Sequence, residues 1–173
     1  VQHLMKKNAI QVIKGDAVFV DKSVDKNTVQ IGGETITAEN VIIATGARPK
    51  NLPHIEVDGD RIWDARSAMT PAFMPEKLLI VGAGAIGVEF ASFYNTLGVD
   101  VTLVEILDQI LPVEDAEIAQ AAEQAFKKQG IEVLTSTGVD SVKTKKNGLV
   151  AEISGEAQDF DALILSVGVQ GNI

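Results

Sequence analysis

The sequence predicts an α/β fold: a parallel sheet interleaved with helices, carrying a β-meander and preceded by a β-rich segment. Three observations lead there. Downstream of residue 77, short apolar runs alternate with helical patterns, the signature of βαβ units. Glycine-containing pairs at 32–33 and 147–148 sit between alternating runs, as hairpin turns do. Finally, "IGGETITAENVIIATG" (31–46) and "ISGEAQDFDALILSVG" (153–168) align without a gap at an offset of 122.

The elements follow in order. "NAIQVIKGDAVFV" (8–20) reads as two short strands around Gly15. "NTVQIGGETITAENVIIATG" (27–46) reads as a hairpin, and its "VIIA" (41–44) as a strand buried on both faces because it is continuously apolar. Residues 47–60 are punctuated by Pro and Gly and read as a linker. "WDARSAMTPAFMPE" (63–76) has room for one short helical turn. "KLLIV" (77–81) is a strand, and 85–97 a helix stopping at Gly98, a C′ position suited to glycine. "DVTLVE" (100–105) is the next strand. Helix 114–130 opens on acids, ends on Lys127, Lys128 and Gly130, and aligns Ile118, Ala121, Ala122, Ala125 and Phe126 along one stripe. "IEVLTS" (131–136), a hairpin on Asn147–Gly148 and the apolar strand "DALILSVG" (161–168) complete the chain.

In the repeat, each copy holds a hairpin, an apolar strand and a closing glycine. Upstream, "IQVIKG" (10–15) resembles "IEVLTS" (131–136) at an offset of 121. The second copy follows a complete glycine-turn βαβ unit, whereas the first follows none. The expectation is a chain that begins inside a first domain of the same kind, with its glycine turn cut away. Its apolar strands then lack neighbours, so pairing with another chain is expected.

Composition narrows the chemistry. The chain has 173 residues and is 46% hydrophobic, enough for a core, yet no run reaches the length of a membrane span. A net charge of −9 argues against nucleic acid or an anionic membrane surface as partner. It does not argue against a phosphorylated ligand, because helix N-termini hold phosphate through backbone N–H groups. There is no cysteine, hence no disulfide, thiolate metal site or thiol nucleophile. His3 and His54 are far apart and lack the company of a triad or metal site, so neither catalytic nor metal-ligating residues are expected. The chain starts at Val1 without a signal-like segment, as an excised piece of a longer protein does.

Gly82, Gly84 and Gly87 satisfy G-x-G-x-x-G after an apolar strand and at the opening of a helix, the context in which that pattern binds a dinucleotide. Gly82 permits the tight turn, Gly84 lets the backbone approach a pyrophosphate, and Gly87 lets the helix pack close to the strand. Glu105 ends the second strand, 18 residues beyond Gly87, where a carboxylate accepts hydrogen bonds from the adenosine ribose. The same carboxylate repels a 2′-phosphate, and "ILDQILP" (106–112) contains no Lys or Arg to rescue one. The expected ligand is therefore NAD(H), not NADP(H). By spacing alone, Glu89 is an acid near a positive helix end. Asp108, Asp115 and Glu117 read as solvated or helix-start acids. Arg48 and Arg66 read as surface residues, Trp63 as a packing residue and "KTKK" (143–146) as a hairpin tip.

"VIIATGARPKNLP", "LLIVGAGAIGVEFASF", "VTLVEILDQILPVEDAEI" and "LILSVGVQGNI" together resemble the pyridine-nucleotide disulfide oxidoreductases, over essentially the whole chain. The dihydrolipoamide-oxidising branch is the nearest. The resemblance implies a Rossmann-like NAD-binding domain at 49–173, preceded at 1–48 by the β-rich end of a truncated FAD-binding domain. It implies that Gly82, Ala83, Gly84, Ala85, Ile86, Gly87 and Glu89 line the pyrophosphate and nicotinamide side. Glu105 then holds the ribose, Val139 lies beside the adenine, Gly168 lies near the nicotinamide ribose, and Gly46 lies near FAD. It implies NAD for this chain, FAD for the parent only, a homodimeric parent with FAD and interface domains elsewhere, and a bacterial cytoplasmic or mitochondrial matrix location. The family's redox Cys pair, N-terminal FAD glycine motif and C-terminal His-Glu base have no counterpart here, so the chain alone is expected to bind without turnover. Val169 and Gly171 stand where many relatives carry Arg and Pro. Two alternatives remain: another NADH-dependent disulfide reductase or NADH oxidase, and a nucleotide-sensing regulatory domain.

Overall fold

A computed structural model describes residues 1–21 and 27–172. The chain divides into two compact units, Val1–Thr45 and Gly46–Ile173. The first holds a short helix α1 (Gln2–Lys7) and an antiparallel meander of β1 (Ala17–Asp21), β2 (Asn27–Ile31) and β3 (Glu34–Ala38), in the order β1-β2-β3. Gly32 (φ 55°) and Gly33 (φ 93°) form the β2–β3 turn, which requires two left-handed residues to match the strand twist.

Residues 10–14 and 41–44 form no strands, contrary to the sequence expectation; Ile42 is 90% exposed and Ile43 67%. A strand buried on both faces takes its hydrogen bonds from neighbours on either side. No described strand of this unit pairs with either run.

The second unit opens with β4 (Ala47–Pro49), which pairs with β13 (Val169–Gly171) as a two-stranded ribbon. The expected linker therefore contains a strand. It also contains a Leu52–Ile55 bridge that buries Ile55. Next come β5 (Ile62–Trp63), α2 (Ala65–Ala68), β6 (Lys77–Val81), α3 (Ala85–Thr96), β7 (Asp100–Val104), α4 (Ala116–Lys128) and β8 (Glu132–Leu134). A meander of β9 (Val139–Lys145), β10 (Gly148–Ile153) and β11 (Glu156–Phe160) precedes β12 (Ala162–Leu165). The five-stranded sheet has the order β5-β12-β6-β7-β8 and is parallel throughout. Its strands alternate side chains between two cores, as their period of two dictates. Leu78, Ile80, Val101, Leu103 and Ile164 meet α3 and α4 through Val88, Ala91, Tyr94 and Phe126. Leu79, Val81, Val104, Leu163 and Leu165 meet the meander through Val139, Leu149, Ala151, Ile153 and Phe160. Trp63 is a core residue, as expected: it is buried, donates to the Asp60 carbonyl and packs on Phe73 and Tyr94.

The meander recurs where the repeat places it. Ser154 (φ 51°) and Gly155 (φ 82°) make the β10–β11 turn, 122 residues after Gly32 and Gly33. Two details differ from expectation. The β9–β10 turn consists of Lys146 and Asn147, and Gly148 already pairs with Lys145. Gly148 is needed for a different reason: at φ 152° a Cβ would stand 2.6 Å from the Phe160 carbonyl oxygen of the adjacent strand. In α4 the packed stripe is Ala119, Ala122 and Phe126, while Ile118, Ala121 and Ala125 face outward. The three positions that pack share the i, i+3, i+7 spacing of one helix face, rotated by a residue from the expected stripe.

Helix α2 is only four residues long and depends on its cap. The Ser67 N–H donates to Asp64 Oδ1 at 2.8 Å, and the Asp64 N–H donates to Ser67 Oγ at 3.0 Å, a reciprocal capping box. The Ser67 backbone hydrogen bond, the largest influence, holds the Asp64 carboxyl below its ordinary 3.8, against a smaller opposing effect of burial. Because the folded value lies below the unfolded one, this stabilisation is complete above the unfolded value and is lost as pH falls through the folded value. Asp64→Ala is therefore expected to cost about 1 kcal/mol near neutral pH. Melting curves of the two proteins should converge in acid well below 3.8; a difference that persists there would contradict the cap.

Candidate nucleotide site

The site grows from the end of β6. After Val81 the chain turns at Gly82, whose φ of 98° is strained for any side chain, and a Cβ there would stand 2.6 Å from the Ser166 carbonyl oxygen. Gly84 is the N-cap of α3, and Gly87 lies one turn further on. A Cβ on Gly87 would overlap the Gly82 carbonyl and approach Ser166 Oγ to 2.8 Å. Gly82 and Gly87 are thus required by protein packing alone. Gly84 differs: its Cβ direction meets nothing within 4 Å.

That opening faces a helix end prepared for an anion. Helix α3 has no side-chain cap at its N-terminus and no acid in its first turn. The first N–H groups of any helix lack intrahelical acceptors, and no side chain of the first turn of α3 supplies one. Ala85 is exposed and Ile86 partly so, while Ala83 and Gly87 are buried. Glu89 lies exposed on the same helix, one turn beyond the N-terminal residues.

Glu105 follows β7 and is 6% exposed. Both carboxylate oxygens are engaged: Oε2 accepts from the Ala83 N–H at 2.7 Å and Oε1 from the Leu107 N–H at 3.0 Å. Its backbone is held as well, with its N–H donating to the Leu134 carbonyl and its carbonyl accepting from the Thr137 N–H. The Leu111 N–H closes the arrangement by donating to the Ala83 carbonyl at 2.7 Å. The carboxylate therefore ties the glycine turn to the loop after β7, a function the sequence pattern did not reveal.

Ser166 was also missed. Its hydroxyl lies 2.7 Å from the Gly82 carbonyl and 3.1 Å from that of Val81, bracing the turn from β12. A serine after an apolar strand carries no pattern that would single it out. The loop after β8 joins the same neighbourhood, because the Ser136 N–H donates to the Leu107 carbonyl. It leads to the buried Val139, whose carbonyl accepts from His54 Nε2 at 3.0 Å. Gly168 (φ 105°) follows β12 and accepts from the Lys50 N–H. Gly46 stands apart from the glycine turn. It sits at the opposite end of the β4–β13 ribbon from Gly168, where its carbonyl accepts from the Asn172 N–H. Arg48, expected at the surface, is exposed and donates to Asn172 Oδ1 at 3.0 Å across that ribbon.

These contacts distinguish glycines that packing requires from one that it does not. Gly87→Ala forces α3 off the turn and should cost about 1–3 kcal/mol of stability. Gly84→Ala meets no clash and should cost at most about 1 kcal/mol, the difference between Gly and Ala at an N-cap, while the proposed dinucleotide site predicts at least about tenfold weaker binding from filling the space beside the helix end. Chemical denaturation and calorimetric titration of both variants check this; equal destabilisation would overturn the distinction. Glu105→Ala leaves two backbone N–H groups without acceptors, and should lose about 1–3 kcal/mol of stability for each that stays buried. Its denaturation curve must therefore be read beside any loss of binding.

The comparisons agree with this geometry. The family model described as pyridine nucleotide-disulphide oxidoreductase matches residues 1–173. The dihydrolipoyl dehydrogenase of Rhizobium etli is 44% identical over 194 residues, covering 100% of this chain and 40% of the relative. That of Zymomonas mobilis is 39% identical over 179 residues, covering 100% and 38%. The crystal structure of LpdA from Mycobacterium tuberculosis superposes with a TM-score of 0.82 at 29% identity, covering 97% of this chain and 38% of that one. This chain thus spans about 40% of the length of the curated relatives it matches. With a family match from the first residue to the last, the chain belongs to the pyridine nucleotide-disulphide oxidoreductases.

Proposed function

We propose that residues 49–173 are the NAD(H)-binding domain of a dihydrolipoyl dehydrogenase, and that residues 1–48 are the end of its FAD-binding domain. The observation that carries this reading is the empty space beside Gly84 at a helix N-terminus that has no side-chain cap and no acid in its first turn. That open space beside free helix-end N–H groups supports a pyrophosphate there. The N–H groups of Ala85, Ile86 and Gly87 would hold it, with Gly82, Ala83 and Gly84 forming the close-approach surface.

Strand order then orients the rest of the ligand. From β6 the sheet continues through β7 to β8 on one side and to β12 on the other. The adenosine half extends towards β7, where Glu105 accepts from the ribose hydroxyls while keeping its backbone partners, since each carboxylate oxygen has two lone pairs. The adenine continues towards Val139. The nicotinamide half extends the opposite way, towards Gly168, with Glu89 on the same side. NAD, when bound, supplies the hydride acceptor. Gly46 faces the FAD side of the parent, and the FAD contacts otherwise lie outside this chain. With no cysteine, this chain supplies no redox disulfide, so dithiol oxidation is assigned to residues outside it. The parent is read as a homodimer through an interface domain that is also outside the chain.

The NAD preference rests on charge. Glu105 is the acid at the ribose position, and residues 106–112 offer no cation to a 2′-phosphate. Calorimetric titration of the chain with NADH and with NADPH tests the reading. The expected result is measurable NADH binding, NADPH weaker by at least about tenfold, and loss of NADH binding in Gly84→Ala. A preference for NADPH would overturn the role given to Glu105. No effect of Gly84→Ala on binding would overturn the cradle.

A further inference from the structure

We propose that His54 is a positioning residue for the adenosine half of the dinucleotide, holding the Val139 carbonyl where it meets the adenine amino group. The inference rests on the dinucleotide reading above and adds to it a side chain from a segment outside the βαβ unit.

The loop between β8 and β9 is the last surface the ligand meets beyond Glu105. In the proposed binding mode the pyrophosphate lies over β6 and the ribose over β7, and β8 is the next strand outward. The loop is tied to the acid-bearing segment by two backbone hydrogen bonds, Thr137 N–H to the Glu105 carbonyl at 2.9 Å and Ser136 N–H to the Leu107 carbonyl at 2.7 Å. Its backbone is strained, with Ser136 at φ 50°. Space lies open beside it, because a Cβ on Gly138 would meet nothing within 4 Å.

Val139 ends this loop and begins β9 at an irregularity. It pairs with Ile153, whereas Ser141 pairs with the neighbouring Glu152, so Asp140 is an extra residue in the ladder. Such a bulge re-aims backbone groups that a regular strand would commit to its neighbour. The Val139 carbonyl accepts from His54 Nε2 at 3.0 Å. Since a carbonyl only accepts, the imidazole donates, which assigns the proton to Nε2. The imidazole is exposed, but its backbone is anchored: the adjacent Ile55 is buried, and the Leu52–Ile55 bridge fixes the turn that carries it. The carbonyl oxygen has a second lone pair, and an amino group arriving from the ribose side can donate to it.

The test uses the 173-residue chain, titrated calorimetrically with NADH and with deamino-NADH, whose purine carries an oxo group in place of the 6-amino donor. Wild type should bind NADH more tightly than the deamino analogue. His54→Ala should weaken NADH binding about threefold to tenfold, the worth of one neutral hydrogen bond, and should narrow the ratio between the two nucleotides. His54→Gln, which retains an N–H donor, should restore both. A role confined to folding would instead lower the melting temperature and weaken both nucleotides equally, leaving their ratio unchanged, and that would overturn the proposal. So would wild-type NADH binding in His54→Ala while Gly84→Ala still abolishes it, a result that leaves the dinucleotide reading standing. Absence of binding by wild type would remove both.

Discussion

The second unit depends on one close approach: helix α3 resting directly on the turn that precedes it. The contact exists because Gly87 has no Cβ to separate the helix from the Gly82 carbonyl, and Ser166 fills the remaining space from β12. With the helix seated there, Val88, Ala91 and Tyr94 reach the apolar face of the sheet, and Tyr94 lies fully buried with its hydroxyl on the Ala68 carbonyl at 2.6 Å. Burial pushes the Tyr94 hydroxyl pKa above its ordinary 10.0, so it remains a neutral donor at physiological pH. The same approach points the helix N-terminus into open space beside Gly84. Packing fixes Gly82 and Gly87, and leaves Gly84 for the proposed ligand contact.

Glu105 links the two demands. In a ligand-free protein a buried carboxylate needs partners, and Ala83 and Leu107 provide them through their backbone N–H groups. Those hydrogen bonds hold the glycine turn and the loop after β7 together before any nucleotide arrives. A site assembled this way loses little conformational freedom on binding. The proposed ribose contact does not compete with these bonds, because the carboxylate has more acceptor capacity than the backbone uses.

The repeated meander shows how local and non-local pairing differ. Both meanders are antiparallel, and each strand pairs with its neighbour in sequence. Gly32–Gly33 and Ser154–Gly155 close equivalent turns with positive φ. The runs at 10–15 and 41–44 are as apolar as their counterparts at 131–136 and 163–166. Only the counterparts are strands, because β6 and β7 stand beside them to receive their hydrogen bonds. Parallel strands have no local partner and exist only in the company of a sheet.

The sequence alone determined the elements governed by local rules. The βαβ period, the glycine turn with its terminal acid, the hairpins and the ends of α3 and α4 are all legible, since each follows from backbone freedom, capping or side-chain periodicity within a short window. Tertiary structure decided what depends on distant neighbours. It turned α4 so that Ala119, not Ile118, packs inward, and it demanded Gly148 for the passage of Phe160. It made β4 a strand by bringing β13 to it, and left 41–44 without strand structure. It also gave Glu105 its backbone partners, and brought Ser166 and His54 to the site. Neither residue is marked by its neighbours in sequence, because each acts on a carbonyl about 85 residues away, a distance that only the packing of the sheet brings within hydrogen-bond reach.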